Sequence, residues 1–226
     1  MSLNIVLLGV VWVLYWCIFL PLYIVKSKQK GSVEALGYKM ILSAIFCMIG
    51  LFGVIRQKAD LFSLLIFIGM LFAVVGDYFL AFIKTNEKKF IIGILSFGIT
   101  HSLYIAAMIT VEGIHIQEFI ITAIVIVVSF IVSNQMKLEM GKTKWLLSGY
   151  SILVTFMAVK AVLMMNTNPL GLSLQLIFSI GAVMFLISDI LLCVWKFYRD
   201  KQLLSNLVSA LYFTGQLLIA TAIYFQ

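Results

Sequence analysis

The chain has 226 residues, of which 63% are hydrophobic and 11% charged, with a mean hydropathy of +1.14. Such usage lies far from that of soluble domains and predicts a polytopic, all-α membrane protein forming one integral-membrane helical domain over residues 1–226. The formal charge of +7 would suit nucleic acid only if it were clustered, and it is spread over short loops, so no nucleic-acid partner is expected.

A bilayer crossing needs about 20 apolar residues. Eight such runs can be drawn, at 3–25, 35–55, 61–83, 90–111, 117–133, 145–165, 172–195 and 203–225. The first run lacks the basic start and small-residue cleavage site of a signal peptide and is too long for one, so it is expected to remain as a helix. Lys26, Lys28 and Lys30 follow the first run, Lys84, Lys88 and Lys89 the third, Lys137, Lys142 and Lys144 the fifth, and Lys196, Arg199 and Lys201 the seventh. The alternate loops hold only Arg56 and Lys58. By the positive-inside rule this places the basic loops in the cytoplasm and both termini outside. The minimal loops favour a bacterial cell membrane. Cys17, Cys47 and Cys193 fall within separate runs, with neither disulfide-framework nor metal-ligand spacing.

Taken in order, the first run is aromatic and reads as a lipid-facing or packing helix, with Trp12 and Trp16 as candidate interfacial anchors. The second carries Lys39 about one turn inside its cytoplasmic end, either snorkelling to the headgroups or binding a substrate phosphate. The third contains GMLFAVVGDYFL (Gly69–Leu80) with Asp77, and the fourth places His101 and Tyr104 three apart on one face. His115, Glu112 and Glu118 are expected in a solvated outer loop. The sixth run supplies Tyr150, and Lys160, which is expected to snorkel outward. The seventh holds GAVMFLISDILL (Gly181–Leu192) with Asp189, and the eighth sets Tyr212 and Gln216 four apart on one face. Taken singly, each tyrosine reads first as a packing or interfacial aromatic. Gly76 and Ser188, beside the two aspartates, are small residues that let a neighbouring helix come close.

Asp77 and Asp189 are read as the functional centre, the two acids set within otherwise apolar runs. A carboxylate in hydrocarbon is costly and is retained where it faces a bundle interior or a wet cavity. Asp77 precedes Lys84, and Asp189 precedes Lys196, by seven residues, so both should lie at matching depth. Adding 112 maps Gly69 onto Gly181, Asp77 onto Asp189 and Tyr38 onto Tyr150, which suggests a 4+4 parallel internal repeat. Neither aspartate has a basic partner on its own helix, so partners must come from other helices.

No G-x-S-x-G elbow, H-E-x-x-H or phosphate-cradling glycine loop occurs. What remains is two carboxylates in a low-dielectric bundle with His and Tyr nearby. That equipment suits general acid and base catalysis on an acid-labile bond, one carboxyl protonated and one ionised, or proton relay in a transporter.

The order of Lys39, GD-x-x-L (Gly76–Leu80), F-x-x-G (Phe90–Gly93), F-x-x-x-H-x-x-Y (Phe97–Tyr104), Tyr150, G-A-x-x-F-x-x-S-D-x-x-L (Gly181–Leu192) and Y-x-x-x-Q-L-L-I (Tyr212–Ile219) resembles the YhhN family of lysoplasmalogenases. The resemblance implies a membrane hydrolase cleaving the vinyl-ether bond of a lysophospholipid to a fatty aldehyde and glycerophosphoethanolamine or glycerophosphocholine, with no metal or organic cofactor. It implies Asp77, Asp189 and His101 as catalytic residues, one aspartate the acid and the other the base and cation stabiliser. Lys39, Tyr104, Tyr150, Tyr212 and Gln216 would then bind substrate. A proton-coupled transporter or lipid-binding protein using the same aspartates is the alternative.

Overall fold

The computed structural model describes residues 3–138 and 140–226. Among the described residues all regular elements are helical. The first span is α1 (Leu3–Leu14), a π-helical turn (Tyr15–Phe19) and α2 (Leu20–Lys30). The π turn comes just before Pro21, whose ring removes an amide from the ladder and crowds the carbonyl four residues back. The other seven spans are built on α3 (Leu36–Arg56), α4 (Leu61–Leu80), α5 (Glu87–Glu112), α6 (Ile116–Gln135), α7 (Lys144–Leu163), α8 (Leu172–Phe197) and α9 (Gln202–Phe225). All eight are long and apolar enough to cross a membrane, as the eight runs predict. The protein is a multi-pass integral membrane protein. Start signals are local where they occur: Asp60 accepts from Ser63 N at the head of α4, and Asn86 from Lys89 N at the head of α5.

Neighbouring contacts close α3, α4, α5, α7, α8 and α9 into a ring in that order. The hairpins α4–α5 and α8–α9 are its most extensively packed pairs. The first span lies outside the ring against α3 and α9, and α6 outside it against α7. Burial follows this layout: 61% of the apolar window of α9 is buried, against 11% for α6 and 17% for the first span. α9 is therefore the inner helix on which the site is built. The first span is lipid-facing on most of its surface, but Trp12 Nε1 donates to Thr221 Oγ1 (3.1 Å) and the buried Tyr15 hydroxyl to the Phe213 carbonyl (3.3 Å). Trp12 is thus a tie to α9 rather than a free anchor, while Trp16 stays exposed.

Small residues set the spacing of both hairpins, since in lipid close packing replaces the hydrophobic drive. A Cβ on Gly76 would lie 2.6 Å from the Phe97 ring, and one on Gly69 2.6 Å from the Tyr104 ring. Gly181 and Gly215 face each other, and a Cβ on either would come within 2.8 Å of the other's carbonyl oxygen. That contact is backbone against backbone and cannot be relieved by a rotamer.

At the end away from the basic loops, the expected snorkelling of Lys160 does not occur. Lys160 is fully buried, and its ammonium donates to Glu118 Oε1 (2.7 Å) and the Gly113 carbonyl (2.6 Å), with Glu112 Oε2 at 3.8 Å. Glu118 is fully buried in the first turn of α6, not solvated in a loop. The connection from α5 to α6 is only residues 113–115, so α6 begins beside α7 and delivers its carboxylate to Lys160 before either reaches bulk water.

Two stability outcomes follow from this packing, both read as thermal unfolding in detergent. Gly181→Ala forces α8 from α9 and costs about 1–3 kcal/mol, whereas Gly149→Ala, with nothing within 4 Å of its Cβ, leaves the midpoint unchanged. Lys160→Met strands a buried carboxylate and costs about 3–5 kcal/mol, and adding Glu118→Gln to it recovers part of the loss.

Candidate functional site

The two aspartates come from the ring's paired hairpins, Asp77 near the end of α4 and Asp189 on α8. Asp77 is buried, at 1% exposure, and every donor to it comes from another helix. Lys39 Nζ on α3 lies 3.1 Å from Oδ1 and also donates to the Asp77 main-chain carbonyl (2.9 Å). Oδ2 accepts from the Ser43 hydroxyl on α3 and the Tyr212 hydroxyl on α9, both at 2.6 Å. Both carboxylate oxygens are therefore engaged, and the charge is matched by an ammonium.

Asp189 is held differently. Its Oδ2 accepts from the Tyr150 hydroxyl on α7 at 2.5 Å, and His101 Nε2 on α5 lies 3.1 Å from that hydroxyl oxygen. His101 is itself 3.9 Å from Oδ2, so the tyrosine is the link between them. With the phenolic proton committed to Asp189, Nε2 is the protonated nitrogen that donates to Tyr150. His101 Nδ1 has no partner among the described residues. Asp189 Oδ1 likewise takes no hydrogen bond from them, and the side chain keeps 13% exposure. Asp189 thus has one anchored oxygen and one oxygen free for a ligand.

Both aspartates line one cavity of about 150 Å³, together with Lys39, Phe97 and Tyr212. Its lining continues through Ser27, Lys84 and Gln202 to the loops at the ends of α2, α4 and α8, the face that carries the basic residues. Phe97, Phe185 and Tyr212 pack edge to face with centroids 5.2–5.9 Å apart, and His101 stands on Phe185 at 4.6 Å. Apolar walls of this kind raise the strength of any charge interaction inside.

No hydrogen bond joins the two carboxylates among the described residues, and their surroundings differ, one beside a lysine and one without. Lys39, expected either to snorkel to the headgroups or to bind a substrate phosphate, does not snorkel: its ammonium is turned inward onto Asp77. Tyr104 and Gln216 bond each other (2.8 Å) and lie outside the cavity lining, so they join α5 to α9 behind the site rather than meeting the aspartates. Tyr150 and Tyr212 bond the carboxylates of Asp189 and Asp77, and His101 reaches Asp189 through Tyr150. Sequence reasoning missed Ser43, although it follows Lys39 by one helical turn and so shares its face. It also missed Tyr23, Ser27 and Ser32 at the cavity wall, which carry no distinguishing signal. Among the described residues no three His, Cys, Asp or Glu side chains converge as metal ligands would.

The YhhN family pattern matches residues 34–223, which contain all eight predicted site residues. The chain belongs to the YhhN family. It is also 26% identical over 159 residues to a Bos taurus protein named lysoplasmalogenase TMEM86A, an alignment covering 69% of this chain and 63% of that relative. The chain thus matches less than two thirds of the relative's length. No solved structure matches it. Within the matched span, Lys39 and Tyr212 reach Asp77, and Tyr150, backed by His101, reaches Asp189.

Lys39→Met removes the one cation beside Asp77 among the described residues and leaves a buried carboxylate unmatched, a loss of about 3–5 kcal/mol. Thermal unfolding of lipid-free protein should fall for this variant and not for Lys88→Gln, at an exposed position. A lysine that served only substrate phosphate would leave the unfolding midpoint of lipid-free protein unmoved.

Proposed function

We propose that the protein is a membrane lysoplasmalogenase, hydrolysing the vinyl-ether bond of a lysophospholipid. The observation that carries the reading is that the cavity holds two carboxylates with unequal bonding, one fixed beside an ammonium and one with a free oxygen. The family membership and the name of the bovine relative point to the same substrate class.

Vinyl-ether hydrolysis needs a proton on the β-carbon, a negative neighbour for the resulting oxocarbenium ion, and water. Asp189 is the acid: Tyr150 and His101 hold Oδ2, and the proton leaves from Oδ1 to the β-carbon. The C=C pair forms the new C–H bond, and the ether oxygen shares the positive charge. Asp77, fixed by Lys39, Ser43 and Tyr212, lies across the cavity as the cation's electrostatic partner and the base toward water. Water adds to the oxocarbenium carbon and gives a proton to Asp77. As the hemiacetal C–O bond breaks, Asp77 returns that proton to the leaving glycerol oxygen, the hemiacetal O–H proton passes to Asp189, and the aldehyde is released. The parallel to glycosidases, in which two carboxylates flank an oxocarbenium-like transition state, is one of mechanism alone. The lipid lies with its headgroup toward the basic loops, which this reading puts in the cytoplasm.

The test is fatty-aldehyde release by purified protein in detergent from a vinyl-ether lysolipid, with the ester analogue as control. Asp77→Asn and Asp189→Asn each reduce release by about 10²-fold or more, with far-UV circular dichroism unchanged. Folded wild-type protein that releases no aldehyde at any pH would end this reading and favour carboxylate-linked transport.

A further inference from the structure

Resting on the reading above, the structure also says where the substrate's phosphate goes. Of the lysines near the site, Lys39 is spent on Asp77, and Lys196 donates to the Ile83 carbonyl (2.8 Å) while lying 4.6 Å from the Phe90 ring centroid. Lys84 is the other cation among the cavity-lining residues, and it stands at the mouth. It lies in the turn that follows α4, past the helix end at Leu80 and seven residues on from Asp77, at the basic-loop end of the cavity.

Two further features of the mouth favour an anion. α9 begins there with Gln202 and Ser205 in the lining, and no side chain caps its first turn, since Lys201 at the N-cap position carries no acceptor. A long helix starting uncapped presents free amides and the positive end of its dipole. An anion already sits on Lys84: Asp200, two residues before α9, places both carboxylate oxygens on Lys84 Nζ, at 2.9 and 2.8 Å. Both partners are more than half exposed, so the pair is weakly held and readily exchanged. Ser27 and Ser32 face the same opening from the end of α2, and Ser32 is already tied to the Ala81 carbonyl (2.7 Å).

We propose that Lys84 and the N-terminal turn of α9 form the phosphate subsite for the substrate headgroup, and that Asp200 occupies it as an internal competitor displaced on binding. Choice of phosphate-bearing lipid is then made at the mouth, separately from the chemistry below. The ammonium or choline beyond the phosphate would lie outside the cavity, so the subsite selects for phosphate rather than for one headgroup amine.

The experiment measures binding without turnover, so that it stands apart from the hydrolase test. A saturated alkyl-ether lysophosphatidylethanolamine, which has no vinyl bond, and the matching alkylglycerol, which has no phosphate, are titrated onto detergent-purified protein. Lys84→Gln should weaken the lysophospholipid about tenfold, the scale of one charged hydrogen bond, and leave the alkylglycerol unchanged. Lys84→Arg should restore most of the loss, and Asp200→Asn should tighten the lysophospholipid alone. Equal weakening of both ligands by Lys84→Gln, or no weakening of either, would overturn the proposal, as would an Asp200→Asn variant that binds lysophospholipid less well. Loss of aldehyde release in the wild type with these binding differences intact would sink the hydrolase reading and keep the subsite.

Discussion

The interaction on which the rest of the site depends is the one between Lys39 and Asp77. A carboxylate at this depth cannot be left unmatched, and the match binds α3 to α4 at the point where Tyr212 also brings in α9. Three helices of the six-membered ring thus meet at one pair of oxygens. Ser43 and Tyr212 complete the donor set, so that neither oxygen of Asp77 faces an apolar wall without a partner. The close approach of Gly76 to Phe97 supports the same point from behind, because α5 must come near enough for Phe97 to lie against Tyr212.

Asp189 is held without a lysine or arginine beside it among the described residues. Its helix, α8, is the counterpart of α4 in the ring, each forming the first arm of a tightly packed hairpin. Its donor comes from α7 and is backed by a side chain of α5, as the donors of Asp77 come from α3 and α9. Yet it is a phenol backed by an imidazole, not an ammonium with two hydroxyls. One oxygen is held and the other is left to the cavity. Unequal bonding of the two carboxylates arises here from what each neighbouring helix offers, and the proposal that Asp189 is the acid rests on that free oxygen. A second buried ion cluster, Lys160 with Glu118 and Glu112, lies toward the opposite end and ties the peripheral α6 to α7. Its place outside the cavity makes it part of the frame.

Much of this was legible in the sequence because membranes constrain sequences strongly. Eight spans could be drawn from apolar length alone, since backbone groups in lipid must be satisfied within helices. The two aspartates stood out for the same reason, and the i, i+3 and i, i+4 spacings correctly put His101 and Tyr212 on inward faces. What spacing could not give was the choice among inward partners. Lys39 at a helix end looks the same on paper whether it reaches outward to headgroups or inward to Asp77, and only the neighbour supplied by α4 decides. Lys160 failed for a like reason: its carboxylate partner lies 42 positions earlier in the chain and is delivered by a short loop. Tyr104 and Gln216 shared faces with His101 and Tyr212 but lie one turn farther from the basic-loop end, where they find each other. The mouth of the cavity, built from ordinary serines, a glutamine and one lysine on three separate loops, has no pattern in the linear sequence.

The central claim is that Asp189 hands a proton to the β-carbon of a vinyl ether held in this cavity. It is tested most directly by running the reaction in D₂O and weighing the aldehyde after immediate reduction to the alcohol. Protonation at that carbon by the exchanged carboxyl predicts one deuterium at C2 of the product, formed by wild-type protein and lost together with activity in Asp189→Asn. Aldehyde formed by Asp189→Asn at the wild-type rate, or product from wild-type protein with no deuterium at C2, would contradict it.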